Sequence, residues 1–531
     1  MLKAKDLIQY GYFPSELPPS FHTITLGEFA SRIPLEQYEK WQQEWQKINS
    51  KINRPESKCV NYSVPRYKNF RRVLSIPNPF YQMILCNQIE KNWKNIKQHI
   101  RKSPISITRP VIPIQRSKKN SRAFDQVRHT ISNEQEIALR STEFSFALKT
   151  DISRYYPTIY THSISWALHG KDEAKKKRNS SSLYGNDLDK CVRSTRDGQT
   201  LGIPIGPDTS LIIAEILTNA VDVELEHRIG KKLHGLRVID DYLLFFKEKC
   251  ECEIALECLH EIFKEFELEM NPIKIQILEL PYVLEPIWKP TIKLFNFRVA
   301  ENRKNNYSVQ RSDLINFFSR VNDFCKLFPE TNIMKYAVKR IHNISIFEDN
   351  LPLFESLLLK SILTQSSCIP DVAGILKENQ NKKYVDKKER IGRTISEIIR
   401  IHTKYANHHE ISWALWLAKE FEINIDKSLY PLLSKQDNPV VVLLALDLRD
   451  HELISDDIDE SRWKKFLVRD QLYDDHWLLT YEAANKEWLL PSTDYLESDP
   501  FFKALKDNEV SFYDTTKSEI LSIPGPSTSG F

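Results

Sequence analysis

The chain has 531 residues, 41% apolar and 27% charged, enough for sizeable folded cores and too long for a single one. Glycine is scarce, 13 residues or about one in forty, which favours helices over β-sandwiches or barrels. The net charge of +4 says nothing about partners, and the longest apolar run, Val440–Leu446, is far below the ~20 residues that cross a bilayer.

The N-terminal stretch MLKAKDLIQYGYFPSELPPS lacks the apolar core and cleavage site of a signal peptide, so a cytoplasmic protein is expected. None of the eight cysteines forms a CxxC pair or takes zinc-finger spacing. Cys250, Cys252 and Cys258 cluster on a predicted helix, and reduced thiols without metal are the expectation.

Charge is unevenly placed. Lys51 to Asn120 holds 16 Lys and Arg against 2 Asp and Glu, a net of +14. Val441 to Pro500 holds 6 against 15, a net of −9, so two domains with different partners are predicted. The basic segment interleaves aromatics and prolines (YSVPRYKNFRRVLSIPNPFYQ, then SPISITRPVIPIQRSKK). Cations beside rings that can stack suit a nucleic-acid backbone with its bases. For the charge alone, an ordinary basic surface is the favoured reading.

FSFALKTD (Phe144–Asp151) alternates apolar and polar residues and predicts a strand delivering Asp151 at its C-terminal end. Pro157 ends it and an amphipathic helix follows. The lysine-rich KDEAKKKRNSSSLYGND reads as a surface loop. Gly198, Gly202 and Gly206 then fall within nine positions, in a segment where a backbone would approach a ligand closely before a long helix from Thr209. A turn before a core helix is the plain alternative.

In LHGLRVIDDYLLFFKE, two β-rich runs, Leu236–Ile239 and Tyr242–Phe246, flank Asp240-Asp241 at hairpin spacing. Adjacent acids between runs this apolar repel each other and cost energy unless a cation neutralises them. Carboxylate oxygens suit Mg²⁺, and a third carboxylate, Asp151, would complete a two-metal site for phosphoryl transfer. For the pair alone, two solvated turn aspartates remain an alternative.

The order strand–Asp, Gly-rich helix entry, Asp-Asp hairpin resembles the palm of reverse transcriptases over roughly Met1 to Ala300. That resemblance implies an α+β fold with right-hand polymerase palm and fingers. It makes Asp151, Asp240 and Asp241 the ligands of two Mg²⁺ ions, with Ile152 beside the metal. Arg71–Ile89 is similar to the fingers segment that meets template and nucleotide. Arg71, Arg72, Arg154, Ile205 and Gly206 are then nucleotide-binding. Lys274, in NPIKIQILELP, is similar to the lysine that protonates or neutralises the leaving pyrophosphate. Tyr156 takes the place of an aromatic under the sugar and implies deoxynucleotide preference.

Within the family the chain resembles bacterial abortive-infection reverse transcriptases (AbiK-like), on YTHSISWALHGK, the lysine-rich run after it, GYFPSELPPSF and a helical region behind the palm. This implies anti-phage defence, homo-oligomers, and DNA synthesis primed by a protein tyrosine, or else copying of a companion non-coding RNA. Terminal tyrosines such as Tyr10, Tyr12 and Tyr513 are candidate primers. Val238 and Ile205 depart from the family pattern, where an aromatic and a Gln or Thr are usual. Both departures point toward non-templated or loosely templated synthesis. A polymerase-like palm that only binds RNA or a phage protein is the alternative from another class, and a retron-like or intron-like templated enzyme is a further one.

From about Asn305 apolar residues recur at helical spacing in many short blocks, which predicts an all-α HEAT-like domain over 301–515 behind a reverse-transcriptase-like domain over 1–300. SIPGPSTSGF ends a tail, 516–531, expected to be disordered. No RNase H domain is expected. Asp456, Asp457, Asp459, Asp474 and Asp475 read as solvated acidic surface, and His408-His409 as loop surface.

Overall fold

Two small sheets organise the N-terminal half of the computed structural model, which describes residues 2–48, 56–67, 70–113, 122–124, 133–178, 180–281, 284–298, 306–382 and 384–520. Strands β1 (Val60–Pro65) and β2 (Arg71–Ile76) form an antiparallel hairpin. Strands β3 (Phe146–Asp151), β4 (Gly235–Val238), β5 (Asp241–Phe246) and β6 (Gln276–Glu279) form the second sheet. Its order is β4-β5-β3-β6, with every neighbouring pair antiparallel.

Strand β5 is apolar without alternation because both its faces are buried. Tyr242, Leu244 and Phe246 join the main core, while Leu243 and Phe245 meet Ile107, Ile137, Ala147 and Leu236. The Lys249–Glu265 helix packs on β3 and β5. It carries Cys250, Cys252 and Cys258, and all eight cysteines are free thiols. The 22-residue Asp208–Ile229 helix is buried along most of its length, as a helix apolar on nearly all sides must be.

Two expectations about the surface are corrected. Ser103–Thr108, read as part of a basic nucleic-acid surface, lies alongside β4. The Arg237 N–H donates to the Ile105 carbonyl (2.9 Å) and the Ile107 N–H to the Arg237 carbonyl (3.1 Å), with Ser103, Ile105, Ser106 and Ile107 buried. The lysine-rich stretch read as a loop contains the Lys171–Lys176 helix and runs into the Tyr184–Ser194 helix. Lys, Glu and Ala are good helix formers, and a Glu173–Lys177 pair (2.6 Å) spans one turn.

Between Asn306 and Asp507 every element among the described residues is helical. The expected 300/301 boundary lies outside the described residues, as do 521–531 of the expected disordered tail. Residues before that are placed: the Lys377 ammonium donates to the Ser518 carbonyl, and Ile520 packs on the core. Among the described residues no helix is long and apolar enough to cross a membrane.

The helical half grips the β1–β2 hairpin and the N-terminus. Tyr62 bonds Ser412 (2.6 Å), and the indoles of Trp413 and Trp477 donate to the carbonyls of Glu16 (2.9 Å) and Ile76 (3.2 Å). His408-His409, read as loop surface, instead opens the His408–Glu420 helix at this junction, with His409 buried. The Ser63 N–H donates to His408 Nδ1 (3.2 Å).

Arg71 closes the same junction with a two-pronged bond to Glu410, both contacts at 2.8 Å. The Glu410 carboxylate is almost wholly buried. Replacing Arg71 with Met strands that charge, so a loss of ~3 kcal/mol of stability is expected. Urea unfolding checks it: an unchanged midpoint contradicts the assignment.

Candidate active site

Strand β3 ends on Asp151, with Asp151 and the following Ile152 both buried. The partner of Asp151 across the β3–β5 ladder is Asp241. Asp240 is fixed from the same side, since the Ile152 N–H donates to its main-chain carbonyl (3.2 Å). Three acids from two distant parts of the chain thus meet at one sheet end.

The hairpin register differs from the sequence reading by one residue. The turn is Ile239-Asp240, Val238 pairs with Asp241, and Asp241 already belongs to β5. Ile239 lies in the left-handed region at φ 57°, an unusual place for a β-branched side chain.

Electrostatics at this end favour a cation. Burial first, and then the charges of Asp241 and Asp151, push the Asp240 carboxyl up to about 7. Asp241 is raised by burial and by Asp151, against the opposing charge of Lys274. Asp151 is buried, and its Oδ1 atom has no hydrogen-bond partner. An orphaned, buried carboxylate oxygen beside two crowded acids fits a hard divalent ion.

Among the described residues no three or more Asp, Glu, His or Cys side chains stand together closely enough to hold a metal ion by themselves. An open set of carboxylates is what Mg²⁺ takes when water and substrate phosphates complete its shell. Ile152, whose hydrocarbon side chain has no donor atom and lies in the core, can offer a metal only its carbonyl.

Lys274 sits on the Pro272–Lys274 turn just before β6. Its ammonium donates to Asp151 Oδ2 and lies 3.5 Å from Asp241 Oδ1. Burial alone would lower its pKa, but the bond to Asp151 and the surrounding acids raise it, so it stays charged.

The ring of Tyr156 is half-buried, and burial raises its hydroxyl pKa. Charges on Asp240, Glu215 and Asp208 push the same way while Arg72 opposes them, which puts Arg72 within electrostatic reach of the site. Arg72 and Arg154 are exposed, Arg154 at the left-handed entry (φ 46°) to the Tyr155–Thr158 turn. Arg71 is not free at this sheet end: Glu410 and Ser63 occupy its guanidinium. This corrects its expected place at the nucleotide.

The Gly-rich segment is packed closely against the rest of the fold. Its close approaches are to the chain itself. A Cβ on Gly206 (φ 130°) would stand 2.8 Å from the Pro14 ring, and one on Gly202 (φ 84°) 2.8 Å from the Pro157 carbonyl. The Ile205 carbonyl accepts from the Ser75 N–H (2.8 Å), tying the segment to β2. Gly206→Ala is therefore expected to cost ~1–3 kcal/mol. A thermal midpoint equal to wild type's would contradict it.

Several residues that shape the site were not singled out from sequence: Thr108, Glu215, Asp222 and Arg237. The signal was available in part. Of the three acids in the largely apolar stretch SLIIAEILTNAVDVEL, Glu215 and Asp222 stand seven apart, on one helix face, which marks them as buried and paired.

One family model matches the part of the chain that carries this site. Residues 76–310, less than half of the chain, match the family model described as reverse transcriptase (RNA-dependent DNA polymerase). The matched region holds all three aspartates, the Gly-rich segment and Lys274, and the match indicates RNA-directed DNA polymerase activity.

Among solved structures, apo telomerase from Candida tropicalis is similar at 11% identity and a TM-score of 0.32, covering 78% of this chain and 71% of that one. Telomerase from Candida albicans, in complex with the TWJ fragment of telomeric RNA, follows at 12% identity and a TM-score of 0.28, covering 72% and 70%. At these scores the likeness carries nothing about function. No curated protein matches.

Proposed function

We propose that this chain is a DNA polymerase that adds deoxynucleotides at the β3–β5 sheet end, with two Mg²⁺ ions held by Asp151, Asp240 and Asp241 and the Ile152 carbonyl beside them. The observation that carries the reading is the cross-strand pairing of Asp151 with Asp241, next to an anchored Asp240. What the metal supplies when bound is acidification of the attacking hydroxyl and neutralisation of the triphosphate. Lys274 holds a proton where the pyrophosphate leaves. Arg72 and Arg154 bind phosphate charge, Ile205 and Gly206 border the base pair, and Tyr156 lies under the sugar and selects deoxyribose.

The resemblance to AbiK-like enzymes supports a finer reading. In it the protein acts in anti-phage defence in the cytoplasm as a homo-oligomer. Its 301–515 region is a HEAT-like helical domain, and its DNA grows from a protein tyrosine with little or no templating. Two candidate primers fall away. Tyr12 and Tyr513 are buried, their hydroxyls bonded to the Pro77 carbonyl and to Asp447. A tyrosine primer has to reach the site, so exposed residues such as Tyr405, 72% accessible, are the better candidates. The match to an RNA-dependent polymerase family favours a second reading, in which a companion non-coding RNA is copied.

Incubating the protein with Mg²⁺ and each labelled deoxynucleotide, with and without RNA, separates these on a denaturing gel. Label that migrates with protein and disappears after nuclease supports tyrosine priming. Label that needs RNA and runs free of protein supports copying. No incorporation by folded protein contradicts the polymerase and leaves a binding module.

A further inference from the structure

Beneath the aspartate hairpin lies an ionic cluster that none of the roles above uses. Glu215 and Asp222 project from the Asp208–Ile229 helix, Arg237 from β4, and all three side chains are completely buried. Arg237 donates to both Glu215 oxygens (3.0 and 3.1 Å) and to Asp222 (2.8 Å). Three hydroxyls complete the set. Ser103 donates to Asp222 (2.6 Å), while Ser106 and Thr108 donate to Glu215 (2.8 and 2.7 Å). Buried ion clusters of this kind are seldom more stable than apolar packing, so stability alone does not account for this one.

The cluster reaches outward at one residue. Arg237 Nη1 also donates to the Ile239 carbonyl (2.9 Å), and Thr108 Oγ1 accepts from the Ile239 N–H (3.0 Å). Both main-chain polar groups of a left-handed, β-branched residue are thus held, immediately before Asp240. Such a conformation persists only where its surroundings impose it. Thr108 is the joint, since its one hydroxyl donates to the fixed Glu215 and accepts from the turn.

We propose that Thr108 is a positioning residue: it transmits the fixed geometry of the Glu215–Arg237 pair to Ile239 and so sets the aim of Asp240 at the metal. This rests on the polymerase reading above. Thr108→Val keeps the shape and removes the hydroxyl, whereas Thr108→Ser restores it.

The test is Mn²⁺ binding by the full chain, followed by electron paramagnetic resonance, alongside thermal unfolding and nucleotide incorporation. Thr108→Val is expected to bind Mn²⁺ about tenfold more weakly, as loss of an outer partner of a metal site does. Its thermal midpoint is expected to stay within about 3 °C of wild type, and Thr108→Ser to bind as wild type. If Thr108→Val loses more than that in midpoint, Thr108→Ala carries the same Mn²⁺ expectation. Equal Mn²⁺ affinity in wild type and both hydroxyl-free variants overturns the proposal, as does failure of Thr108→Ser to restore it. Wild type that binds Mn²⁺ and incorporates nucleotide while the variants match it sinks this inference alone. Wild type that does neither sinks the polymerase reading with it.

Discussion

Asp240→Asn is expected to abolish nucleotide incorporation while making the metal-free protein more stable. The two effects have one cause. Burial and the neighbouring acids Asp241 and Asp151 push the Asp240 carboxyl up to about 7, so its charge is held at a cost. A neutral amide removes the repulsion, and a gain of ~1–3 kcal/mol above pH 7 follows from a shift of this kind. In the proposed polymerase the same change removes a hard metal ligand. A fall in incorporation of roughly 10³-fold or more, about 4 kcal/mol of barrier, is expected. Thermal unfolding in a chelating buffer and incorporation at saturating Mg²⁺ read the two sides. A variant that is both active and no more stable would show that Asp240 is an ordinary solvated turn residue.

The second large effect is a pair of opposite pH dependences. Burial is the main cause that lowers His409 to about 3 and His408 to about 4, with Arg71 adding to it and Glu410 opposing. Their folded values lie below the unfolded value near 6.5, so the unfolded chain binds more protons below that pH. The stability that neutral His409 contributes is complete above pH 6.5 and is lost as pH falls toward 3. Glu482 behaves in the reverse sense. Burial raises it to about 7, against Lys486 and the bonds from Phe512 and Ser511. Its neutral form contributes fully below about pH 4.5, and that contribution is lost as pH rises through 7.

Relative to wild type, His409→Phe should therefore gain ~3 kcal/mol between pH 6.5 and 4, at 1.36 kcal/mol per pH unit. Glu482→Gln should gain a similar ~3 kcal/mol between pH 4.5 and 7. Denaturant titrations across that range measure both. Parallel pH curves for wild type and either variant would contradict the assignment.

Local pattern carried much of the site. An alternating run ending in an acid made β3 and Asp151 readable, and apolar runs on both sides of Asp240-Asp241 made the hairpin readable. What escaped was set by partners remote in the chain. The one-residue difference in the hairpin depends on Asp151 across the ladder and on Thr108 and Arg237 holding Ile239. Arg71 looked free because Glu410, which binds it, lies 339 positions away. The contacts of Gly206 with Pro14 and of Gly202 with Pro157 were not legible either, because nothing local shows those prolines pressing on them. Tyr12 and Tyr513 looked terminal and therefore mobile, yet both rings are buried and Tyr513 bonds Asp447 inside the helical half.

Everything functional rests on three carboxylates sharing divalent ions, and anomalous diffraction from crystals soaked with Mn²⁺ and a deoxynucleoside triphosphate sees this directly. Two manganese peaks ~3.5–4 Å apart are expected, in contact with Asp151 and with the Asp240-Asp241 pair. Manganese found only elsewhere, with none touching any of the three aspartates, would contradict it.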